Sequence, residues 1–144
     1  MIAVDTNLLV YAHREDAEWH EPAYAALAGL AEGAAPWAIP WPCVHEFLAI
    51  ATHARIYAPP TPMPRALDQV AAWMASPSLV LLGETGAYVD VLDRLVRTGR
   101  VAGPRVHDAR IAALCLHHGV RELWTADRDF ARFPELATRN PLPG

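Results

Sequence analysis

The chain has 144 residues, 53% of them hydrophobic and 19% charged, and a formal net charge of −4. That is one domain's worth of sequence with enough apolar content to bury a core, which excludes a disordered chain. The acidic balance excludes a protein that coats phosphate backbones with its whole surface, yet leaves room for an enzyme that binds nucleic acid along one strip.

Residues 2–4, the apolar run Ile2-Ala3-Val4, read as a first strand that ends on Asp5, with Leu8 to Ala12 as the helical turn that follows. Asp5 interrupts the run before it resembles a secretory leader, and no segment approaches the roughly 18 apolar residues of a membrane helix, so a cytoplasmic protein without a membrane association is expected. Residues 21–32 carry Ala and Leu at helical spacing and stop before Gly33. Trp37-Ala38-Ile39 is a second strand closed by Pro40, and Pro42 to His53 a helix with proline tolerated in its first turn. The proline-dense stretch 57–64 is a loop.

Arg65 to Ala75 reads as helical, Leu79 to Leu82 as a strand of the buried type, and Ala87 to Arg97 as an amphipathic helix stopping at Gly99. Residues 106–118 form a further helix ending at Gly119; Glu122 to Thr125 is a strand, followed by a polar turn and a short helix near Phe130. Short apolar strands alternating with helices predict a single α/β domain over residues 1–144, with a mostly parallel sheet of four to five strands flanked by helices. In such sheets ligands bind beyond the carboxyl ends of the strands. Asp5 and Asp127 fall there.

Four carboxylates are candidates for one site. Asp5 ends the first strand, and Asp127 follows the last one in TADRDF, with Asp129 two residues on. Glu46 borders the inward face of its helix, since Cys43 and Ile50, three and four residues away, are apolar. Asp108 stands in the first turn of its helix, in line with Ile111, Ala112 and Cys115. Each also has a plain structural account: Asp5 and Asp127 as helix caps, Asp108 as a first-turn acid, Asp129 as a solvated charge. Glu46 fits such an account least, because Glu is almost never buried without a partner.

Taken together the four would repel one another unless a cation sits among them, and hard oxygen ligands select Mg²⁺ or Mn²⁺. A carboxylate cage of this kind suits phosphodiester hydrolysis. Rival chemistries fit less well. Cys43 and Cys115 show no CxxC pattern and read as buried reduced thiols, and the seven histidines show no HExxH or paired zinc spacing. A phospho-receiver domain and a haloacid-dehalogenase-like phosphatase also open on a strand ending in Asp. Both use a lysine, however, and this chain has none; the phosphatase also wants Asp where Asn7 stands.

The segments VDTNLLVYAH, PWPCVHEFL, VHDARIAALCLHHGV and WTADRDFARFPEL, in that order and over nearly the whole chain, resemble a PIN-domain ribonuclease of the VapC toxin type. The resemblance implies a Mg²⁺- or Mn²⁺-dependent endoribonuclease, the toxin of a toxin–antitoxin pair. It assigns Asp5 and Asp108 as the main metal ligands, with Glu46 and Asp127 completing the acidic pocket and Asp129 as an extra ligand. Thr6, Asn7 and Thr125 match small polar supporting positions.

It also implies attack by water, with Asp127 or Glu46 assisting its deprotonation. No RNA 2′-hydroxyl is then needed, and 5′-phosphate and 3′-hydroxyl ends result. Arg105, Arg110 and Arg128 flank the acids and are candidates for phosphate contacts, or alternatively for ion pairs with the acids themselves. Implied partners are RNA, a small antitoxin that occludes the pocket, and a second copy in a homodimer. A different class of reading keeps the fold and drops the chemistry: a protein-binding module acting mainly in an antitoxin complex that autoregulates its operon.

Overall fold

The computed structural model describes residues 1–143. Five strands form one sheet: β1 (Ile2–Val4), β2 (Trp37–Pro40), β3 (Leu79–Leu82), β4 (Glu122–Trp124) and β5 (Thr138–Arg139). Every neighbouring pair is parallel, in the order β3-β2-β1-β4-β5. The register sets Ile2 opposite both Trp37 and Glu122, and Val4 opposite Trp124. Parallel pairing forces the chain to cross over between strands, and six helices, two to a crossing, join β1 to β4: α1 (Thr6–His13), α2 (His20–Glu32), α3 (Trp41–Ala51), α4 (Met63–Met74), α5 (Tyr88–Thr98) and α6 (Val106–His117); a 3₁₀ turn alone joins β4 to β5.

The order has one consequence for function. The chain starts at β1, steps outward to β2 and β3, then returns to lay β4 on the other side of β1. The strand order therefore reverses between β1 and β4. A crevice opens outside the carboxyl ends at such a switch point. The residues that follow those two strands are Asp5 and Thr125.

The core explains why the elements form where they do. Ala3, Val4, Trp37, Ala38, Ile39 and Leu123 fill the sheet interior, and Leu8, Leu9, Phe47, Ile111 and Leu114 face it from the helices, all between 0% and 2% exposed. Phe47 and Trp73 meet edge to face, with ring centroids 4.8 Å apart, and join α3 to α4. The indole N–H of Trp37 donates to Ser76 Oγ at 3.1 Å, and the Ser76 hydroxyl donates to the Ala31 carbonyl at 2.8 Å. One small side chain thus ties β2, α2 and the end of α4 together. Ser76→Ala is expected to cost about 1 kcal/mol, the usual loss for a hydrogen bond that leaves its partners half-satisfied. A lowered urea midpoint with an unchanged slope checks it.

The elements agree with the reading from sequence apart from small shifts at their ends, a 3₁₀ turn at Gly103–Arg105 that it lacks, and four further differences. β3 is not fully buried: Val80 is 40% exposed, because the strand lies at the sheet edge. α4 begins at Met63, inside the proline-dense stretch, with Pro62 as its cap and Pro64 in its first turn, where a missing N–H costs nothing. The short helix near Phe130 is a 3₁₀ turn, Arg128–Arg132. The two-residue strand β5 has no apolar run to announce it. Cys43 and Cys115 are both free and buried, and burial pushes the Cys115 thiol up to about 12. Among the described residues no helix is long and apolar enough to cross a membrane.

Candidate active site

Asp5 occupies the switch point. Its backbone is extended, as a cap requires, and Oδ1 accepts the Thr6 N–H at 2.8 Å, so it does cap α1. The other oxygen faces β4: Oδ2 accepts the Thr125 hydroxyl at 2.7 Å and the Asn7 amide at 3.4 Å. The Cys43 thiol donates to Oδ1 at 3.6 Å. Capping and convergence are two uses of one carboxylate. With four donors on roughly four lone-pair sites, Asp5 is held rigidly. It is 5% exposed, and burial, with Glu46's charge adding to it, holds its carboxyl above the ordinary range despite the donors.

Thr6, Asn7 and Thr125 form the frame around it. Asn7 Oδ1 accepts the Ala126 N–H at 3.2 Å, and Thr125 Oγ1 accepts the Asp127 N–H at 3.0 Å. These contacts lock the turn after β4 onto the start of α1. Thr6 Oγ1 donates to Glu46 Oε2 at 3.0 Å, which supplies the partner that a half-buried Glu on α3 needs.

A second group lies beside this frame. Asp108, in the first turn of α6, meets Asp127 and Asp129 from the turn after β4, and one carboxylate oxygen of each lies within 4.8 Å of the others. Asp127 caps the 3₁₀ turn by accepting the Asp129 N–H at 2.8 Å, which orients both acids. Asp108's carboxyl is held above its ordinary range by partial burial first, then by the charges of Asp127, Asp5 and Asp129; Arg105 opposes them. The positive charge near the group is Arg105, 4.0 Å from Asp129. Glu46 and Asp5 stand outside the tight trio, and Asp5 reaches it through its field on Asp108.

Arg110 is engaged with Glu84 in a close ion pair, and Arg128 is exposed on the 3₁₀ turn. Among the described residues no histidine joins a metal-holding group. His118 Nε2 instead donates to the Gly83 carbonyl at 2.8 Å. One member of the site was missed from sequence. Cys43 sits in an apolar row and reads as core, and only the approach of α3 to the end of β1 makes it a donor to Asp5.

Chemically, the trio is an all-oxygen donor set whose mutual repulsion one arginine leaves uncompensated. That fits a hard divalent cation and suits neither zinc nor a thiolate metal. The trio opens to the surface, since Asp108 and Asp127 are half-buried and Asp129 exposed, so a large polyanion can reach it.

Comparison with known proteins bears on the family and the fold. The sequence profile of the PIN domain matches residues 2–136. Ribonuclease VapC37 of Mycobacterium tuberculosis is 35% identical over 141 residues, 98% of this chain and 97% of that protein. Among solved structures, VapBC2 from Rickettsia felis, bound to a DNA fragment from its promoter, superposes with a TM-score of 0.69 at 19% identity, covering 99% of this chain and 100% of that one. VapC20 of M. tuberculosis, described as a toxin that cleaves the sarcin-ricin loop, superposes at 0.66 with 16% identity, covering 91% and 93%.

Proposed function

This chain belongs to the PIN-domain family, among the VapC ribonucleases, and from that premise we propose that the whole of residues 1–144 is one PIN domain acting as a divalent-metal-dependent endoribonuclease, the toxin of a toxin–antitoxin pair. The observation that carries the chemistry is the convergence of Asp108, Asp127 and Asp129 within 4.8 Å, beside the buried Asp5, at the sheet's switch point.

Asp108, Asp127 and Asp129 would hold Mg²⁺ or Mn²⁺, with Asp5 fixing the site from behind and entering the ligand set where the long 3.4 Å contact from the Asn7 amide to its Oδ2 gives way. The bound ion supplies charge neutralisation at the phosphate and a water of lowered pKa. Asp127 or Glu46 accepts a proton from the attacking water. Thr6, Asn7 and Thr125 keep the carboxylates in place, and Arg105 and Arg128 contact phosphates of the bound strand, Arg110 being held by Glu84. Water attack leaves 5′-phosphate and 3′-hydroxyl ends.

The substrate is read as an unpaired loop of a transfer or ribosomal RNA, because specific RNA recognition favours splayed bases. The partner is a small antitoxin, and the toxin itself a cytoplasmic homodimer. Exposed apolar side chains such as Tyr24 on α2 and Leu67 and Met74 on α4, 58%, 50% and 50% exposed, offer surface for such contacts.

The test is cleavage of total RNA by the purified toxin, freed of its antitoxin, with Mn²⁺, Mg²⁺ or EDTA. Cleavage with metal, its loss in EDTA, and ends open to 5′-phosphate-dependent ligation are expected. Cyclic-phosphate ends would sink the water route, and no cleavage under any metal would sink the enzyme in favour of the binding module. A second expectation needs no RNA. Saturating Mn²⁺ or Mg²⁺ raises the unfolding temperature by about 3–6 °C, since a ligand that binds only the folded state stabilises it. The shift disappears on acidification, because protons compete for the carboxylates; an unchanged melting curve in metal would count against the site.

A further inference from the structure

The edge that carries Asp5 continues across the neighbouring strands. Strands lie about 5 Å apart, so stepping from β1 to β2 to β3 leads from Asp5 to Trp41 and then to Gly83 and Glu84. Trp41 is the first residue of α3, directly after β2. Trp37 and Trp73 are buried and Trp19 and Trp124 partly covered, whereas Trp41 is 37% exposed. A tryptophan in so apolar a chain ordinarily goes inward. This one is supported from below by Gly83, where a Cβ would stand 3.6 Å from Trp41 Cδ1.

One helical turn on, the exposed ring of His45 lies beside the indole, with centroids 6.1 Å apart and planes inclined by 39°. Its Nδ1–H donates to the Trp41 carbonyl at 3.0 Å. That bond sets the tautomer and leaves Nε2 as an acceptor. The next residue, Glu46, is tied through Thr6 to the Asp5 cap. The aromatic pair is therefore fixed relative to the carboxylates by a short chain of contacts.

We propose that Trp41 and His45 form a stacking subsite for one unpaired nucleobase adjacent to the scissile phosphate; this rests on the ribonuclease reading of the carboxylate site. On this side of the site the charges are those of Asp5 and Glu46, with Arg105 on the far side beside Asp129, so phosphates are held poorly here and a π-surface is the interaction that acidic charge does not oppose. Every base has a face to stack, and single-strand binding proteins use exposed aromatics in this way. His45 Nε2 accepts a hydrogen bond from an exocyclic amine on the stacked base, favouring adenine, cytosine or guanine over uracil there.

The test uses the full-length toxin and a short fluorescein-labelled single-stranded RNA of mixed sequence, with binding followed by anisotropy and cleavage followed in parallel. Trp41→Ala is expected to weaken binding and raise KM about tenfold while kcat stays near wild type, and Trp41→Phe to restore most of the loss. An abasic site beside the cleaved bond reproduces the loss in wild type and adds nothing to Trp41→Ala. Unchanged binding and KM in Trp41→Ala, with cleavage intact, overturns the subsite and leaves the nuclease standing. Weaker RNA binding by Trp41→Ala in a protein that never cleaves does the reverse. Loss of antitoxin binding with RNA affinity unchanged shows a protein-contacting face and overturns the proposal, as does a wild type that binds no RNA.

Discussion

Asp108→Asn is expected to reduce RNA cleavage by about a hundredfold or more, while the metal-free protein melts no lower than wild type. The two effects have one cause. Asp108 is charged beside Asp127, Asp5 and Asp129, and both burial and those neighbours hold its carboxyl above the ordinary range. A carboxyl raised on folding favours the fold at low pH and loses that contribution as pH climbs through the raised value. At neutral pH the ionised Asp108 is therefore a stability cost, and the neutral amide relieves it. The same exchange removes an anionic ligand from the trio, so the melting shift produced by Mn²⁺ shrinks or vanishes. Cleavage rates and melting curves, each with Mn²⁺ and with EDTA, read both signs. A variant that cuts at the wild-type rate, or that melts well below it in EDTA, contradicts the assignment. Such opposition between stability and function is what a site assembled from like charges produces.

Thr125→Val, which keeps the shape and deletes the hydroxyl, carries the second large effect. Thr125 is 3% exposed and its hydroxyl serves three partners: it donates to Asp5 Oδ2, and accepts from the Asp127 N–H and, at longer range, from the Asn7 amide. Removing it leaves a buried carboxylate without its shortest donor and a backbone N–H without an acceptor, at a cost of about 2 kcal/mol. Cleavage falls by roughly 10–100-fold, as when a residue supporting a ligand is lost. The pH dependence separates this from a packing defect. The Thr125 hydrogen bond lowers the Asp5 pKa, so its loss raises a value that is already high. The destabilisation is greatest near neutrality and shrinks on acidification, once Asp5 is protonated, and the acid limb of the activity profile moves to higher pH. A penalty independent of pH would show that the hydroxyl matters only for packing.

The sequence made some of this site legible because the information was local. A strand that ends on Asp, and an Asp in the first turn of a helix whose following positions are buried, announce Asp5 and Asp108 without any distance being known. Glu46 was legible for the same reason, as an acid on an apolar face. What no pattern reports is which carboxylates come within a few ångströms. From its neighbours alone Asp129 reads as a solvated charge, and only the family resemblance offers it as an extra ligand; the structure sets it in the tight trio, while Asp5 stands behind, its lone pairs taken by the chain itself. Cys43 was illegible as a donor because its role depends on how α3 approaches β1, not on its neighbours in sequence. Arg110 flanks the acids in the chain yet turns to Glu84, a choice made by the loop after β3. The exposure of Val80 likewise follows from strand order, which is set by long-range pairing.

The separation of the site's pieces along the chain makes a statement about time. Asp5 takes its shortest hydrogen bond from a residue 120 positions later, and β1, the centre of the sheet, lacks its neighbour on one side until β4 has been made. Synthesis proceeds from the N-terminus, and distant pairings close last. A nascent chain therefore carries Asp5 and Glu46 with none of the Asp108–Asp127–Asp129 trio to work beside them. The carboxylates meet only after Asp129 has been made, so on the proposed nuclease reading a chain truncated before it is expected not to cleave RNA.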